Sequence, residues 1–209
     1  MRQLTTGIPM FKMSIARASL CSSLLLAVCF SPSWAAAQRY SLDPEHTTVA
    51  FLVDHIGFAK TLGLFTEVSG SLSFDQEAGT VTDIAISVAT SSVNTAHEAR
   101  DKHVRNKDFL NVDAFPQMTF NAASASVGEN GVGEIAGELT LLGNTLPLIL
   151  SVKLNKADNY PFGHKRFTLG VSASAELNRS DYGMDYGVAN ALVGDKVTLI
   201  IETEAIQDK

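Results

Sequence analysis

Cysteine is nearly absent from this chain. The only two, Cys21 and Cys29, lie in its first thirty positions. That opening stretch reads as a leader. Arg2, Lys12 and Arg17 make it positive, and no acidic residue comes before Asp43. Leu20 to Phe30 is apolar but too short to span a bilayer comfortably. Ala35-Ala36-Ala37 then offers a small-residue cleavage site before Gln38, the pattern of a secretory signal. Met10 or Met13 serves equally well as a start. The run Leu26-Ala27-Val28-Cys29 has bulky Val28 where a lipid-attachment site wants a small residue. The expectation is a signal over residues 1–37, cleaved before Gln38, and one exported soluble domain over 38–209.

Loss of both cysteines with the leader excludes a disulfide framework, a thiolate nucleophile and any cysteine-based metal site. The three charges lost are all basic, so the domain is more acidic than the full chain, whose formal net charge is −6. An acidic domain is poorly suited to nucleic acid. Metal spacings are missing too: there is no HExxH, no HxH and no Cys–His pattern. His97 and His103 share no helix face, His46 and His55 would face opposite sides of one strand, and His164 sits in a turn. GxSxG, GxGxxG and the phosphate-binding P-loop are likewise absent. A triad assembled from distant residues depends on geometry that a sequence does not display. Neither metal, cofactor nor catalytic residue is expected.

What the chain does have is alternation. From Thr47 onward the apolar residues recur every second position, the signature of half-buried strands. In EVSGSLSFD, Val68, Gly70, Leu72 and Phe74 point one way, and Glu67, Ser69, Ser71, Ser73 and Asp75 the other. Similar stripes are Val49, Phe51 and Val53; Ile84, Ile86 and Val88; and Met118, Phe120 and Ala122. Further along come Ile135, Gly137, Leu139 and Leu141, then Leu146 to Leu154, Phe167 to Ala175, and Val197 to Ile201. Turn residues separate them, as at Gly128 to Gly133 and Gly143-Asn144. About eight long antiparallel strands can close into a barrel and so remove their edges; a β-sandwich is the alternative. Such a barrel is either filled by side chains or holds one small ligand. Small residues on the inward faces (Gly70, Ala122, Gly137, Ala173, Ala175) favour a cavity, although glycine in a strand also marks bulges.

The stretch HEARDKHVRNKDFLNVDAFPQMTF breaks this rhythm. Thr95 and Glu98 have capping-box spacing, and Glu98 with Lys102 and Asp101 with Arg105 are i,i+4 pairs in the favourable order. A short surface helix over about 96–107 is predicted, covering the barrel. Its cations Arg100, Lys102, Arg105 and Lys107 read either as a solvated face or, through Arg100 and His103, as contacts to an anionic or polar head group.

Taken in order, DPEHTTVAFLVDHIGF, GLF at 63–65, RDKHV at 100–104, DFLNVDAFPQMTF, GELTLLGNTLPL and NRSDYGM resemble the YceI-like family over Leu42 to Ala205. Thr47 and Val104 depart from the family's more usual Ser and Leu. The resemblance implies a lipocalin-like extended antiparallel barrel, exported to the periplasm, that holds a long isoprenoid or lipid-like chain without a known reaction. Its partner would be a hydrophobic small molecule: a polyisoprenoid, an isoprenoid quinone or a fatty-acid-like chain. It also admits transient contact with a membrane or membrane cytochrome, and a homodimer. The residues expected to face the ligand are Phe51, Val53, Phe58, Leu72, Phe74 and Phe109. Phe115, Met118, Phe120, Leu139, Leu148 and Phe167 complete the set. Arg100, Asp101 and His103 match the family's RDxH signature; Arg100 and Asp101 should fix the helix over the barrel, with Arg179 and Asp181 doing the same at the last turn. Arg100 or His103 at a head group is the functional alternative. The competing readings are an enzyme or redox accessory acting on an isoprenoid quinone, with His55 or His103 near the ring, and a filled stress-response barrel.

Overall fold

Alternating faces need something to cover them, and here the sheet covers itself. The computed structural model describes residues 37–209; the expected signal, apart from Ala37, lies outside the described residues. The strands are β1 (Gln38–Leu42), β2 (Thr48–His55), β3 (Ala59–Phe65), β4 (Val68–Asp75), β5 (Thr80–Ala89) and β6 (Val93–Asn94). After helix α1 (Glu98–Arg105) come β7 (Gln117–Val127), β8 (Val132–Leu141), β9 (Asn144–Asn159), β10 (Phe167–Asn178) and β11 (Val193–Gln207).

All pairings are antiparallel, and β11 at the end of the chain also meets its start. β11 pairs with β10 on one side and with both β1 and β2 on the other. β1 pairs with β4 while β2 pairs with β3, and β4 pairs with β5 while β3 pairs with β6. Thus β1 with β2, β3 with β4, and β5 with β6 are three strands, each broken once. Together with β7 to β11 they make a closed barrel of eight, as the alternation predicted.

β3 is the one substantial strand the sequence reading left out. Its apolar Leu62 and Leu64 face outward, and Thr61, Gly63 and Phe65 lie on the other face. The polarity is reversed, so the stripe is disguised.

Each break is pinned. The Ser92 hydroxyl oxygen accepts from the Thr66 and Glu67 N–H groups, both at 3.2 Å, and donates to the Ala89 carbonyl at 2.7 Å. That single side chain ties the β3–β4 bend to the β5–β6 bend. At the β1–β2 break, Asp43 N–H donates to the Glu204 carbonyl and Glu204 N–H to the His46 carbonyl. Thr47 Oγ1 donates to the Asp43 carbonyl at 2.7 Å, and His46 Nδ1 lies 2.7 Å from Asp43 Oδ2.

Inward faces carry the apolar stripes and outward faces carry residues such as Ser69, Asn121, Glu138 and Lys153. That is the reverse of a membrane-spanning barrel, which is apolar outside. Among the described residues no helix is long and apolar enough to cross a membrane. The glycines on inward faces do not open space as expected. A Cβ on Gly137 would lie 2.4 Å from the Phe120 ring and 2.6 Å from the Asn121 carbonyl oxygen, and one on Gly70 would lie 2.6 Å from Ile86 Cδ1. Neighbouring side chains fold over these glycines. Of the five small residues, Ala173 alone lines the cavity described below.

The hydrogen bond to Asp43 raises the His46 pKa, with the charge of Glu204 adding to it against a smaller effect of burial. Burial pushes Asp43 up, but its bonds from His46 and the Glu45 N–H outweigh this and hold it below the ordinary value. The clasp therefore needs His46 charged and Asp43 ionised. The His46 contribution is fully present below about pH 6.5, the free histidine value, and is lost as pH rises through the raised pKa. The Asp43 contribution is lost as pH falls through its lowered pKa. Thermal melting of wild type and His46→Ala should accordingly differ most at about pH 5–6 and converge above about pH 8. A pH-independent gap would show that the clasp is not ionic.

Candidate functional site

Because the stripes converge on the axis of a closed sheet, they enclose space. The barrel holds a cavity of about 490 Å³, within the range of small-molecule sites. Its wall is Val49, Phe51 and Val53 of β2, Leu72 of β4, Ile84, Ile86 and Val88 of β5, and Met118 and Phe120 of β7. Leu139 of β8, Leu148, Leu150 and Val152 of β9, Val171 and Ala173 of β10, and Leu199 and Ile201 of β11 continue it.

One end is plugged and the other open. Tyr40, Phe74, Val81 and Leu169 are buried but do not line the cavity; they fill the end where β1 begins and β11 finishes. The exposed lining residues, His55, Ile56, Arg100, Tyr186 and Leu192, all belong to the opposite end. Four segments meet there: the β2–β3 turn, the α1 segment, the β8–β9 turn and the β10–β11 loop.

Three rings span this mouth. His103 stands edge-on to Phe109 and Tyr186, with centroids 5.0 and 5.1 Å away, and Phe109 lies 5.2 Å from Tyr186. They join the α1 segment to the β10–β11 loop. His103 Nε2 also lies 3.1 Å from Asp108 Oδ2.

Arg179 holds the loop in place. It is 2% exposed and donates to four backbone carbonyls, those of Gly194, Met184, Tyr186 and Val193, at 2.7–2.9 Å. Its guanidinium carbon is 5.8 Å from the Phe109 ring centroid, a cation–π contact. Burial lowers its pKa, opposed by the charges of Asp195 and Asp185, yet a guanidinium stays charged at any physiological pH. Asp181, expected to assist, is exposed. Asp195 does so instead, accepting from Ser180 N–H at 2.9 Å and its hydroxyl at 2.8 Å.

The helix is anchored differently from its sequence signals. Asp101 is buried, and its Oδ1 accepts from both the N–H and the hydroxyl of Thr95, at 2.7 and 2.6 Å. Burial raises the Asp101 pKa, but these bonds and the charges of Arg105 and Arg100 hold it below the ordinary value. Thr95 is thereby taken, so it does not cap the helix. His97 Nδ1 accepts from Arg100 N–H instead, and α1 spans Glu98–Arg105 rather than 96–107. Neither expected i,i+4 ion pair forms among the described residues, because Arg105 donates to the Ser91 and Val93 carbonyls. Arg100 reaches Thr95 through Nε and Nη2, at 2.8 and 2.7 Å, while bordering the mouth. Arg100 and Asp101 thus both bond α1 back to Thr95.

Of the expected ligand-facing residues, Phe51, Val53, Leu72, Phe109, Met118, Phe120, Leu139 and Leu148 line the cavity. Four do not. Phe58 is 90% exposed at the tip of the β2–β3 turn, where alternation has ended. Phe74 packs against Tyr40 in the plugged end, with centroids 6.4 Å apart. The Phe115 ring lies against Gly143, outside the wall. Phe167 opens β10 at the plugged end, opposite Asn159. Tyr186, Leu192 and Met184 line the cavity without having been singled out. The available signal was a connection too long for a hairpin, 179–192, carrying apolar residues between glycines.

One group of three possible metal donors occurs among the described residues: Asp43, His46 and Glu204, with ligand atoms within 4.8 Å of one another. It is the clasp at the β1–β2 break. Glu204 Oε2 is buried without a hydrogen-bond partner, 3.8 Å from His46 Nδ1.

Two substitutions separate the anchors. Arg179→Lys leaves at least one of the four carbonyls without a donor and should cost about 1–3 kcal/mol. Amide exchange should speed up in residues 184–194 before the rest of the barrel. Asp101→Ala should cost about 1–3 kcal/mol by orphaning the Thr95 donors, and frees the α1 segment with the barrel still closed. Equal protection of the loop in wild type and Arg179→Lys would count against the anchoring role.

Comparison with known proteins agrees with this architecture. A YceI-like domain profile matches residues 40–205. Protein YceI of Salmonella arizonae is 35% identical over 189 residues, covering 88% of this chain and 95% of that protein. Among solved structures, BcnA of Burkholderia cenocepacia superposes with a TM-score of 0.69 at 17% identity, over 78% of this chain and 98% of that one. A polyisoprenoid binding domain from Saccharophagus degradans, implicated in plant cell wall breakdown, gives 0.61 at 16% identity, over 81% and 98%. The chain belongs to the YceI-like family.

Proposed function

We propose that this protein is an exported, periplasmic carrier that holds one long isoprenoid or lipid-like chain in its barrel and catalyses nothing. The observation that carries the reading is the shape of the site: an apolar tube, plugged at one end and open at the other. An apolar tube does not hold water well, and each methylene moved into it contributes about 0.8 kcal/mol. A dozen such groups offset most of an association cost of about 4–15 kcal/mol. The similarity to a polyisoprenoid binding domain supports an isoprenoid as the chain. Residues 1–37 supply the route out of the cytoplasm, and release of the ligand requires transient contact with a membrane.

Arg100, His103 and Arg179 border the mouth, where a polar head group would rest. Most of their donors are already engaged with the protein, which suits positioning better than chemistry. A second reading draws on His55 and His103 both lining the mouth: an accessory to redox chemistry on an isoprenoid quinone.

Native mass spectrometry of protein recovered from the periplasm without detergent tests the first reading. A single added mass, released by organic solvent as a prenyl or acyl chain, is expected. Ala173→Phe, which puts a ring into the tube, should lower its occupancy about tenfold or more. Recovery of folded wild type at bare mass, with no uptake of added polyprenol, would sink the carrier reading. His55→Gln with His103→Gln should leave occupancy unchanged; loss of a quinone turnover in that variant would favour the second reading.

A further inference from the structure

Exposed apolar side chains on this barrel are not evenly spread. Val132 and Ile149 stand singly on the wall, Leu64 and Ile200 flank Ala50 on the outer face of β2 and its neighbours, and Phe162 sits in the β9–β10 turn at the plugged end. A group of five gathers at the open end: Ile56, Phe58 and Leu62 of the β2–β3 hairpin, with Tyr186 and Leu192 of the β10–β11 loop. His55 pairs with Val193, which sets the hairpin tip beside that loop. Residues 54–57 and 188–195 face one another across a shallow groove. Three of the five, Ile56, Tyr186 and Leu192, are also cavity lining. Apolar side chains of the tube wall therefore continue onto the outer surface, beside the polar His55 and Asp54.

We propose that the hairpin tip Ile56-Gly57-Phe58, with Tyr186 and Leu192, is the surface by which this protein inserts shallowly into a lipid bilayer to load and unload its chain. The inference rests on the carrier reading and names the partner of that same site. The tip is convex: a three-residue loop closes between His55 and Ala59, with Ile56 and Gly57 both at positive φ, 54° and 71°. Asp54 Oδ1 accepts the Gly57 N–H at 2.7 Å and fixes the loop. A β-branched residue at positive φ is strained. The turn spends that strain on presenting Phe58 outward. Protein partners favour anchors that fill pockets, whereas a projecting aromatic suits the boundary of water and acyl chains.

A lipid moving from bilayer to tube across these residues keeps apolar side chains along its path. Charges around the mouth are of both signs, with Lys60, Lys102 and Lys107 against Glu98, Asp181 and Asp185. Apolar insertion, rather than attraction to anionic lipid, should thus dominate.

The chain's one tryptophan, Trp34, precedes Gln38, so exported protein lacking its leader has none. Phe58→Trp then supplies a lone indole at the tip and Ile149→Trp a control on the wall. With phosphatidylcholine vesicles, the emission of Phe58→Trp should shift to shorter wavelength and be quenched by brominated acyl chains. Added phosphatidylglycerol should change this little, and Ile149→Trp should not respond. In the same vesicles Phe58→Asp should transfer a fluorescent polyprenol about tenfold more slowly, with Phe162→Asp matching wild type.

An unmoved Phe58→Trp emission, or a transfer rate unchanged in Phe58→Asp, overturns the proposal. So does a shift that grows with protein concentration in the absence of vesicles, since that places the tip against a second copy. If mass spectrometry finds the lipid while the tip ignores vesicles, only the docking surface fails. If vesicles shift the tip but no lipid is ever held, the carrier reading fails by itself.

Discussion

β11 carries the closure on which the rest of the molecule depends. One continuous strand of fifteen residues pairs with β10 along one side and with two separate segments, β1 and β2, along the other. Without that double pairing the sheet would have two open edges and its apolar stripes would face water on a curved but unsealed surface. With it, every inward stripe meets its counterparts around a common axis. The three broken strands are tolerated because each break is bonded to a neighbour: Ser92 across two bends, and the Asp43–His46 turn onto β11.

The asymmetry between the two ends is the functional feature. A barrel of eight strands is just wide enough to be filled by side chains or to enclose a slender ligand, and this one is filled at one end and hollow toward the other. Tyr40, Phe74 and Leu169 fill the end near the termini. Toward the other end the lining turns to Val, Ile, Leu and a few aromatics that do not meet in the middle. The mouth is made by loops, and their backbone carbonyls need donors if they are to be held without a sheet. Arg179 meets that need for four of them at once. Arg105 does the corresponding work for the α1 segment, donating to the Ser91 and Val93 carbonyls, while Asp101 accepts from Thr95. Charged residues that a motif reader would assign to a ligand are thus mostly engaged in fixing the rim.

The alternation from Thr47 onward determined about eight antiparallel strands, closing as a barrel or stacking as a sandwich, since a two-residue period on half-polar strands has few other ways to bury its apolar face. The pairing of β11 with β1 and β2 decided for the barrel. The motifs from DPEHTTV to NRSDYGM were sufficient for the family, and the leader pattern for an expectation of export. Eight of the twelve apolar residues expected at the ligand do line the cavity. Seven of them lie on strands, where position along the alternation fixes which face a side chain takes, and Phe109 is brought there by the segment after α1. Tertiary structure decided the rest. Phe58 and Phe115 lie in a turn and a loop, where alternation carries no information, and Phe74 and Phe167 lie on correct faces but at the plugged end, a distinction that depends on how far along the axis a strand reaches. The capping box at Thr95 was overridden because Asp101, six residues on, folds back to claim both of its donors. Local signals settle which way a side chain faces; only closure of the sheet settles what it finds there.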